Sequence, residues 1–228
     1  VPFSTIYCAA MSRENDRIST RVSCIDIEKL PATLISVRGA HCKVFQTGGY
    51  RRKKSAPIKA FVVKMHVLAC SKREAEIYHR DYRKLRKKLG DIIPSAMFVR
   101  TLINDEHNLL VLAYAHTPWF NIANPANEDE ALPLLGKHPK ARDQLELFVS
   151  AAKEWREKEG KLIDLWGMDN LVLDKNRQIR YLDSFEVFFY EDMLHIMEDT
   201  GPELKERIEV SAQRLDYLDY LVKQNKKG

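Results

Sequence analysis

Residues 161–185 read KLIDLWGMDNLVLDKNRQIRYLDSF, and this stretch decides the fold. Its two short apolar runs, 171–173 and 179–182, predict adjacent strands, and the polar residues 174–177 between them favour a turn. Asn170 directly precedes the first run, and Asp183 directly follows the second. Asn and Asp side chains at the ends of two adjacent strands can share one face of a Mg²⁺ ion, which prefers hard oxygen ligands.

The segments on either side of this stretch are predicted to be mainly helical. Apolar residues recur at helical spacing between 141 and 155, and this helix is expected to end at Gly160. The tail 191–227 is also predicted to be mostly helical, with a break at Gly201 and Pro202. Residues 117–131 are expected to form a partly polar linker.

The N-terminal half predicts strands with a single helix. Strands are expected at 33–37, 42–45, 59–65, 95–102 and 108–115. After the third strand, Ser71 and Glu74 form a capping-box pattern before an apolar stripe that stops at Gly90. The order of elements is therefore βββαββ, followed by helices, which predicts an α+β fold.

Across about residues 32–190, this order of elements resembles the protein-kinase-like family. Val62-Val63-Lys64 is similar to the family's Val-Ala-Ile-Lys motif. Residues 164–173 and 181–185 resemble the catalytic loop and the metal-binding strand end, with Leu-Asp-Ser-Phe in place of Asp-Phe-Gly. The resemblance implies two lobes, an antiparallel five-stranded N-lobe with one helix and a small, mainly helical C-lobe, with ATP and Mg²⁺ as cofactors.

Two residues of the N-terminal half acquire roles from this resemblance. Lys64 corresponds to the lysine that holds the nucleotide phosphates, and Glu74 to the helix glutamate that pairs with it. Glu74 borders the apolar stripe of its helix, and Asp81, two turns further on, is a reserve candidate. The alternative for Glu74 is a capping role alone.

In the C-terminal half, the resemblance implies that Asp164 is the catalytic base and that Asn170 and Asp183 bind the metal. Asp164 lies one residue further from Asn170 than the family pattern has it. A one-residue bulge would keep Asp164 as the base. In a strict register Leu165 takes the base position, and Asp169 becomes the nearest carboxylate. This irregular loop also leaves a pseudokinase open.

The nucleotide-binding features are reduced. Gly39 is the single glycine in the turn that resembles the glycine-rich loop, and Tyr114, Ala115 and His116 resemble the hinge whose backbone hydrogen-bonds adenine. The segment after Asp183 has no Ala-Pro-Glu and is too short for a full activation segment and helical C-lobe. We therefore expect a reduced C-lobe and no regulation by loop phosphorylation.

Composition places the chain among ordinary globular proteins, with 45% hydrophobic and 30% charged residues. Four widely spaced cysteines predict free thiols in a reducing compartment, either the cytoplasm or a host cytosol entered by a secreted effector. No apolar run reaches the roughly 18–20 residues that span a bilayer. Basic runs at 51–54 and 83–88 lack interleaved aromatic residues, so a nucleic-acid partner is not expected.

The sequence thus predicts an ATP- and Mg²⁺-dependent phosphotransferase, an atypical protein Ser/Thr kinase with a protein substrate. Residues 1–30 would form an extension, 31–116 the N-lobe and 117–228 the C-lobe. A nucleotide-binding scaffold and a small-molecule kinase are the alternatives. The run 164–166 resembles sugar-amine kinases, and 73–75 resembles bacterial Ser/Thr kinases. The short C-lobe favours a protein acceptor, while the oligomeric state stays open.

Overall fold

A computed structural model describes residues 32–36, 42–47, 60–103, 105–190 and 202–226. The strands in this part of the chain are β1 (Ala32–Ser36), β2 (Cys42–Thr47), β3 (Phe61–His66), β4 (Ala96–Ile103), β5 (Glu106–Tyr114), β6 (Pro118–Phe120), β7 (Lys161–Ile163), β8 (Leu171–Asp174), β9 (Ile179–Tyr181) and β10 (Phe188–Tyr190). The helices are α1 (Lys72–Leu89), α2 (Glu128–Lys137), α3 (Pro139–Glu159) and α4 (Pro202–Asn225). The predicted α+β class is confirmed. Gly39, the extension 1–30 and the basic run 51–54 lie outside the described residues.

The chain divides into two compact units. The first runs to Arg80 and resumes with Ser95–Ala115, and the second comprises Asp81–Pro94 and the residues from His116 onward. Residues 81–94, which the sequence analysis assigns to the N-lobe, therefore belong to the second unit. One of their contacts within this unit is the ion pair from Lys88 Nζ to Glu154 Oε2 of α3 at 2.6 Å.

The first unit is built on a five-stranded antiparallel sheet of order β1-β2-β3-β5-β4. Alternation along the strands places Val99, Leu110 and Leu112 in a buried cluster. The partly buried Val63 and Met65 of β3 pack against this cluster. Lys64 lies between these two residues on β3 and consequently points to the opposite face of the sheet.

Helix α1 begins with the capping box that the sequence predicts. The Ser71 N–H donates to Glu74 Oε2 at 2.7 Å, and the Glu74 N–H donates to Ser71 Oγ at 3.2 Å. These reciprocal bonds satisfy the backbone N–H groups of Ser71 and Glu74 at the helix start. The helix ends before Gly90, whose φ of 55° is costly for residues with a side chain.

The second unit combines helices with two small antiparallel sheets, β6-β8-β9 and β10-β7. Helix α3 buries an apolar stripe that includes Phe148 and Trp155, and it ends at Gly160, whose φ is 61°. The Phe148 ring lies 5.8 Å from the Tyr181 ring of β9, so α3 packs directly beneath the hairpin β8–β9. None of the helices in the described ranges is long and apolar enough to cross a membrane.

Part of the predicted linker 117–131 is regular structure. Residues 118–120 form β6, and α2 begins at Glu128 although Pro133 lies inside it. Pro133 lacks an N–H and removes one helical hydrogen bond. The acidic residues Glu128, Asp129 and Glu130 in the first turn favour the helix through its dipole.

Candidate functional site

Asn170 and Asp183 lie at the same end of the hairpin β8–β9 in the second unit. Asn170 directly precedes β8, and Asp183 lies just beyond β9. The Leu182 N–H donates to the Asn170 carbonyl at 2.8 Å, which continues the antiparallel pairing to this end. The hairpin therefore places at one end the two residues that the sequence analysis selects as metal ligands.

Asn170 is the last residue of the loop 164–170, and other residues of this loop hold its side chain. Its Nδ2 donates to the Asp164 carbonyl at 3.2 Å, and the Tyr181 hydroxyl donates to the same carbonyl at 3.0 Å. A Cβ at Gly167 would lie 2.3 Å from Asn170 Oδ1, so only glycine leaves room for the amide in this position. No hydrogen bond from a described residue reaches Asn170 Oδ1.

Asp183 offers an oxygen at the same end. Its Oδ1 accepts the Ser184 N–H at 2.6 Å and the Phe185 N–H at 3.4 Å. No donor in the described residues hydrogen-bonds to Oδ2. One carboxylate oxygen is thus fixed by the backbone, and the other is open to a ligand.

Asp164 is buried, with 3% of its surface exposed, and both of its oxygens are engaged. Oδ1 accepts the Trp166 N–H at 2.8 Å, and Oδ2 accepts from Arg207 Nη2 at 3.2 Å. Burial, together with the charge of Asp183, raises the pKa of Asp164 to about 6, while the Trp166 N–H and Arg207 act in the opposite direction. Asp169, the alternative carboxylate, is exposed.

Arg207 of α4 is the buried partner of Asp164. Its guanidinium carbon lies 5.4 Å from the centre of the Trp166 ring and 5.0 Å from that of Phe189. Both distances are within the range of cation–π attraction. Glu186 Oε2 lies 4.0 Å from Nη1. The guanidinium is therefore enclosed by aromatic rings and carboxylates, and it fixes the Asp164 side chain.

Lys64 and α1 share one face of the first unit's sheet. Lys64 lies opposite Val111, and Val111 lies opposite Phe98. The His79 ring of α1 lies 5.2 Å from the Phe98 ring on this face. The sheet therefore presents Lys64 on the side that α1 covers. On α1, Glu74 caps the helix start through its bond with Ser71, and its pairing with Lys64 stays a prediction.

The backbone N–H groups of the predicted hinge residues Tyr114 and Ala115 form hydrogen bonds within the first unit. The Ala115 N–H donates to the Ala60 carbonyl at 2.9 Å, and the Tyr114 N–H donates to the Ser95 carbonyl at 3.4 Å. These two N–H groups therefore hold the ends of the strands together. The Tyr114 side chain is 40% exposed.

His116 belongs to the second unit and contacts a buried ion pair. Its Nδ1 lies 3.5 Å from Asp174 Oδ2, which also accepts from Arg180 Nε at 3.0 Å. Burial and the positive charge of Arg180 lower the pKa of His116, and Asp174 offsets this only in part. The imidazole is consequently neutral at pH 7.

The sequence analysis missed three residues of α4: Arg207, Ser211 and Arg214. They recur at intervals of four and three, which places them on one face of the helix. Arg207 and Ser211 are buried. The sequence pattern that could have identified them is a polar stripe beside the apolar residues of a predicted helix. This pattern does not indicate which residues the stripe contacts. We call these three residues the polar face of α4.

No protein-family model matches the chain, and no curated protein matches it at a significant level. Within the described residues there is also no cluster of three or more His, Cys, Asp or Glu side chains arranged to hold a metal. A Mg²⁺ site that uses one carboxylate, one amide oxygen and the substrate's phosphates does not require such a cluster.

Proposed function

We propose that this chain is an ATP- and Mg²⁺-dependent phosphotransferase with the protein-kinase-like fold, acting on serine or threonine hydroxyls of a protein. The observation that carries the proposal is the position of Asn170 and Asp183 at one end of the hairpin β8–β9. The antiparallel sheet with a helix after its third strand, and the position of Lys64 on the face that α1 covers, support the fold.

The residues at the hairpin end fit a magnesium ion. Asn170 Oδ1 and Asp183 Oδ2 are hard oxygen donors without hydrogen bonds from the described residues. Mg²⁺ commonly uses one or two protein oxygens and takes its other ligands from phosphates and water. Bound there, the ion would neutralise the negative charge of the ATP phosphates.

Lys64 would contact the nucleotide phosphates, as the resemblance implies. A lysine ammonium on a strand is a compact positive charge that suits this role. Positioning of the phosphoryl group and neutralisation of its charge supply most of the acceleration in this reaction.

The proton of the acceptor hydroxyl needs a carboxylate that a substrate can reach. Asp164 is buried and both of its oxygens accept hydrogen bonds, whereas Asp169 is exposed and adjoins Asn170. These contacts favour Asp169 as the base and Asp164 as the residue that fixes the loop. In the reaction, the hydroxyl oxygen forms a bond to the γ-phosphorus, the bond to ADP breaks, and the proton passes to the carboxylate.

A nucleotide-binding scaffold without transfer activity is the second candidate. The observation that favours it is the engagement of Asp164, the residue in the base role by resemblance. Such a scaffold would keep Asn170 and Asp183, bind Mg²⁺-ATP and transfer nothing. A small-molecule kinase would retain the same site with a different acceptor.

The test incubates the purified chain with γ-labelled ATP, Mg²⁺ and a generic protein acceptor. Asp183→Asn and Lys64→Ala are compared with wild type, and Asp143→Asn serves as a control because its side chain is 72% exposed on α3. We expect wild type and Asp143→Asn to incorporate label equally and the two site variants to lose roughly 100-fold.

The other results separate the candidates. Magnesium-dependent ATP binding without label transfer to proteins or to small hydroxyl compounds supports the scaffold. Transfer to an aminoglycoside or a sugar alone supports the small-molecule kinase. Equal labelling by wild type and Asp183→Asn would refute the assigned site.

A further inference from the structure

The loop 164–170 has an anchor on the helix α4. Ser211 Oγ accepts the Leu165 N–H at 3.0 Å. Arg214 Nη1 donates to the carbonyls of Leu165 and Trp166, at 2.5 and 2.6 Å, and Nη2 lies 3.4 Å from Met168 Sδ. Ser211 and Arg214 of the polar face of α4 therefore bind the backbone of Leu165 and Trp166, in the first half of the loop.

These contacts replace the hydrogen bonds that a strand would supply. Leu165 is fully buried, and β7 ends two residues before it. A buried peptide group without a partner is destabilised, so an irregular segment at this depth needs donors and acceptors from elsewhere. Ser211 accepts the Leu165 N–H, and Arg214 donates to its carbonyl.

The position of Asn170 depends on this first half of the loop. Asn170 Nδ2 donates to the Asp164 carbonyl, and Arg207 holds the Asp164 side chain. Movement of residues 164–166 would therefore move the group to which the Asn170 amide is bonded. Asn121 provides a separate anchor at the other end, since its Nδ2 donates to the Met168 carbonyl.

We propose that Arg214 is a positioning residue: with Arg207 and Ser211 it holds the loop 164–170 and thereby sets the Asn170 amide for the magnesium nucleotide. The link to the nucleotide rests on the proposed function. Arg214 is the residue to test because it is only partly buried. Removal of Arg207 would leave the Asp164 charge buried without its partner, which endangers folding.

The experiment compares Arg214→Met, which keeps much of the side-chain length and removes the donors, with Arg214→Lys, which retains one donor group. Lys205→Met is the control, because Lys205 is an exposed cation on the same helix whose one ion pair within the described residues is with Glu209 at 3.8 Å. Hydrogen exchange of the amides in 165–170 and titration with Mg²⁺-ATP are measured on the full chain.

We expect Arg214→Met to exchange about tenfold faster in 165–170 with β5 and α3 unchanged, since one or two hydrogen bonds are lost. Its affinity for Mg²⁺-ATP should fall about tenfold, with Arg214→Lys intermediate and Lys205→Met equal to wild type. The graded response and the local exchange would not arise from general destabilisation.

Unchanged exchange in 165–170, or faster exchange throughout the second unit, would overturn the assignment. Faster loop exchange with unaltered ATP affinity would overturn the link from the loop to Asn170. If wild type itself binds no nucleotide, the proposed function fails on that result, and the exchange comparison still decides whether Arg214 holds the loop.

Discussion

Replacing Gly167 by alanine should separate the proposed magnesium site from the stability of the fold. A Cβ at this position would lie 2.3 Å from Oδ1, 2.8 Å from Cγ and 3.0 Å from Nδ2 of Asn170. Gly167 is not among the residues with positive φ, so alanine is not strained by the backbone conformation. The substitution therefore acts through the Asn170 amide.

The size of the displacement follows from these distances. An ordinary contact begins at 3.4 Å, so the amide oxygen must move by about 1 Å. The movement breaks the Asn170 Nδ2 bond to the Asp164 carbonyl, a loss of about 1 kcal/mol of stability. A metal ligand is held to within about 0.2 Å, and a misplacement of ~1 Å in an active site costs on the order of 100-fold in rate.

We expect Gly167→Ala to lower kcat/KM for phosphoryl transfer by about 100-fold and the free energy of unfolding by only about 1 kcal/mol. The assays are labelled-ATP transfer over a Mg²⁺ titration and urea unfolding. Gly136→Ala in α2 is the matched control, since a Cβ there would meet only Asn225 Oδ1 at 4.0 Å. It should leave transfer unchanged and stabilise the helix slightly.

A double-mutant cycle tests the route of the effect. In an Asn170→Ala background the clash partner is absent, so adding Gly167→Ala should lower transfer no further. Wild-type transfer and magnesium dependence in Gly167→Ala would refute the argument that the Asn170 amide is a ligand. Equal additional losses in both backgrounds would show that Gly167 acts on something else.

Two further predictions concern the buried cluster around β8. Asp174→Ala should lower the free energy of unfolding by about 3–5 kcal/mol, because Arg180 loses its buried partner, and urea unfolding against Asp143→Ala measures this. The folded-state pKa of His116 is lowered from 6.5, so the unfolded chain binds a proton more readily and stability falls as the pH drops below about 6.5. His116→Gln should have a shallower fall in stability between pH 7 and 5, and an unaltered slope would contradict the assignment.

The elements that the sequence predicts well are those with local signals. The capping box of Ser71 and Glu74 marks the start of α1, and Gly160 marks the end of α3. The hairpin β8–β9 is equally local, since two apolar runs flank one polar turn. In each case a few neighbouring residues determine the structure, so no knowledge of the rest of the chain is needed.

Elements that depend on distant partners are not predictable in this way. β7 and β10 have three residues each and form only because Ile163 pairs with Phe188 across an intervening hairpin. α2 forms despite Pro133, with Ala131 and Leu135 fully buried in the second unit. Tertiary burial outweighs local propensity at both places.

The candidate site divides in the same way. The strand ends that carry Asn170 and Asp183 follow from the hairpin pattern. The environment of Asp164 does not, because its partner Arg207 lies 43 residues further along the chain. A resemblance transfers a role to a position in a motif, whereas the burial of that position depends on residues outside the motif.

The loop 164–170 begins with a tight turn. The Trp166 N–H bonds back to Asp164 Oδ1, and Arg207 donates to Oδ2 of the same carboxylate. Burying such an ion pair costs desolvation that a well-packed apolar pair would avoid, so stability alone is a weak reason for it. It does fix the carbonyl of Asp164, to which the Asn170 amide is bonded. The buried pair is therefore better understood as the support of the loop 164–170 than as the group that receives a proton.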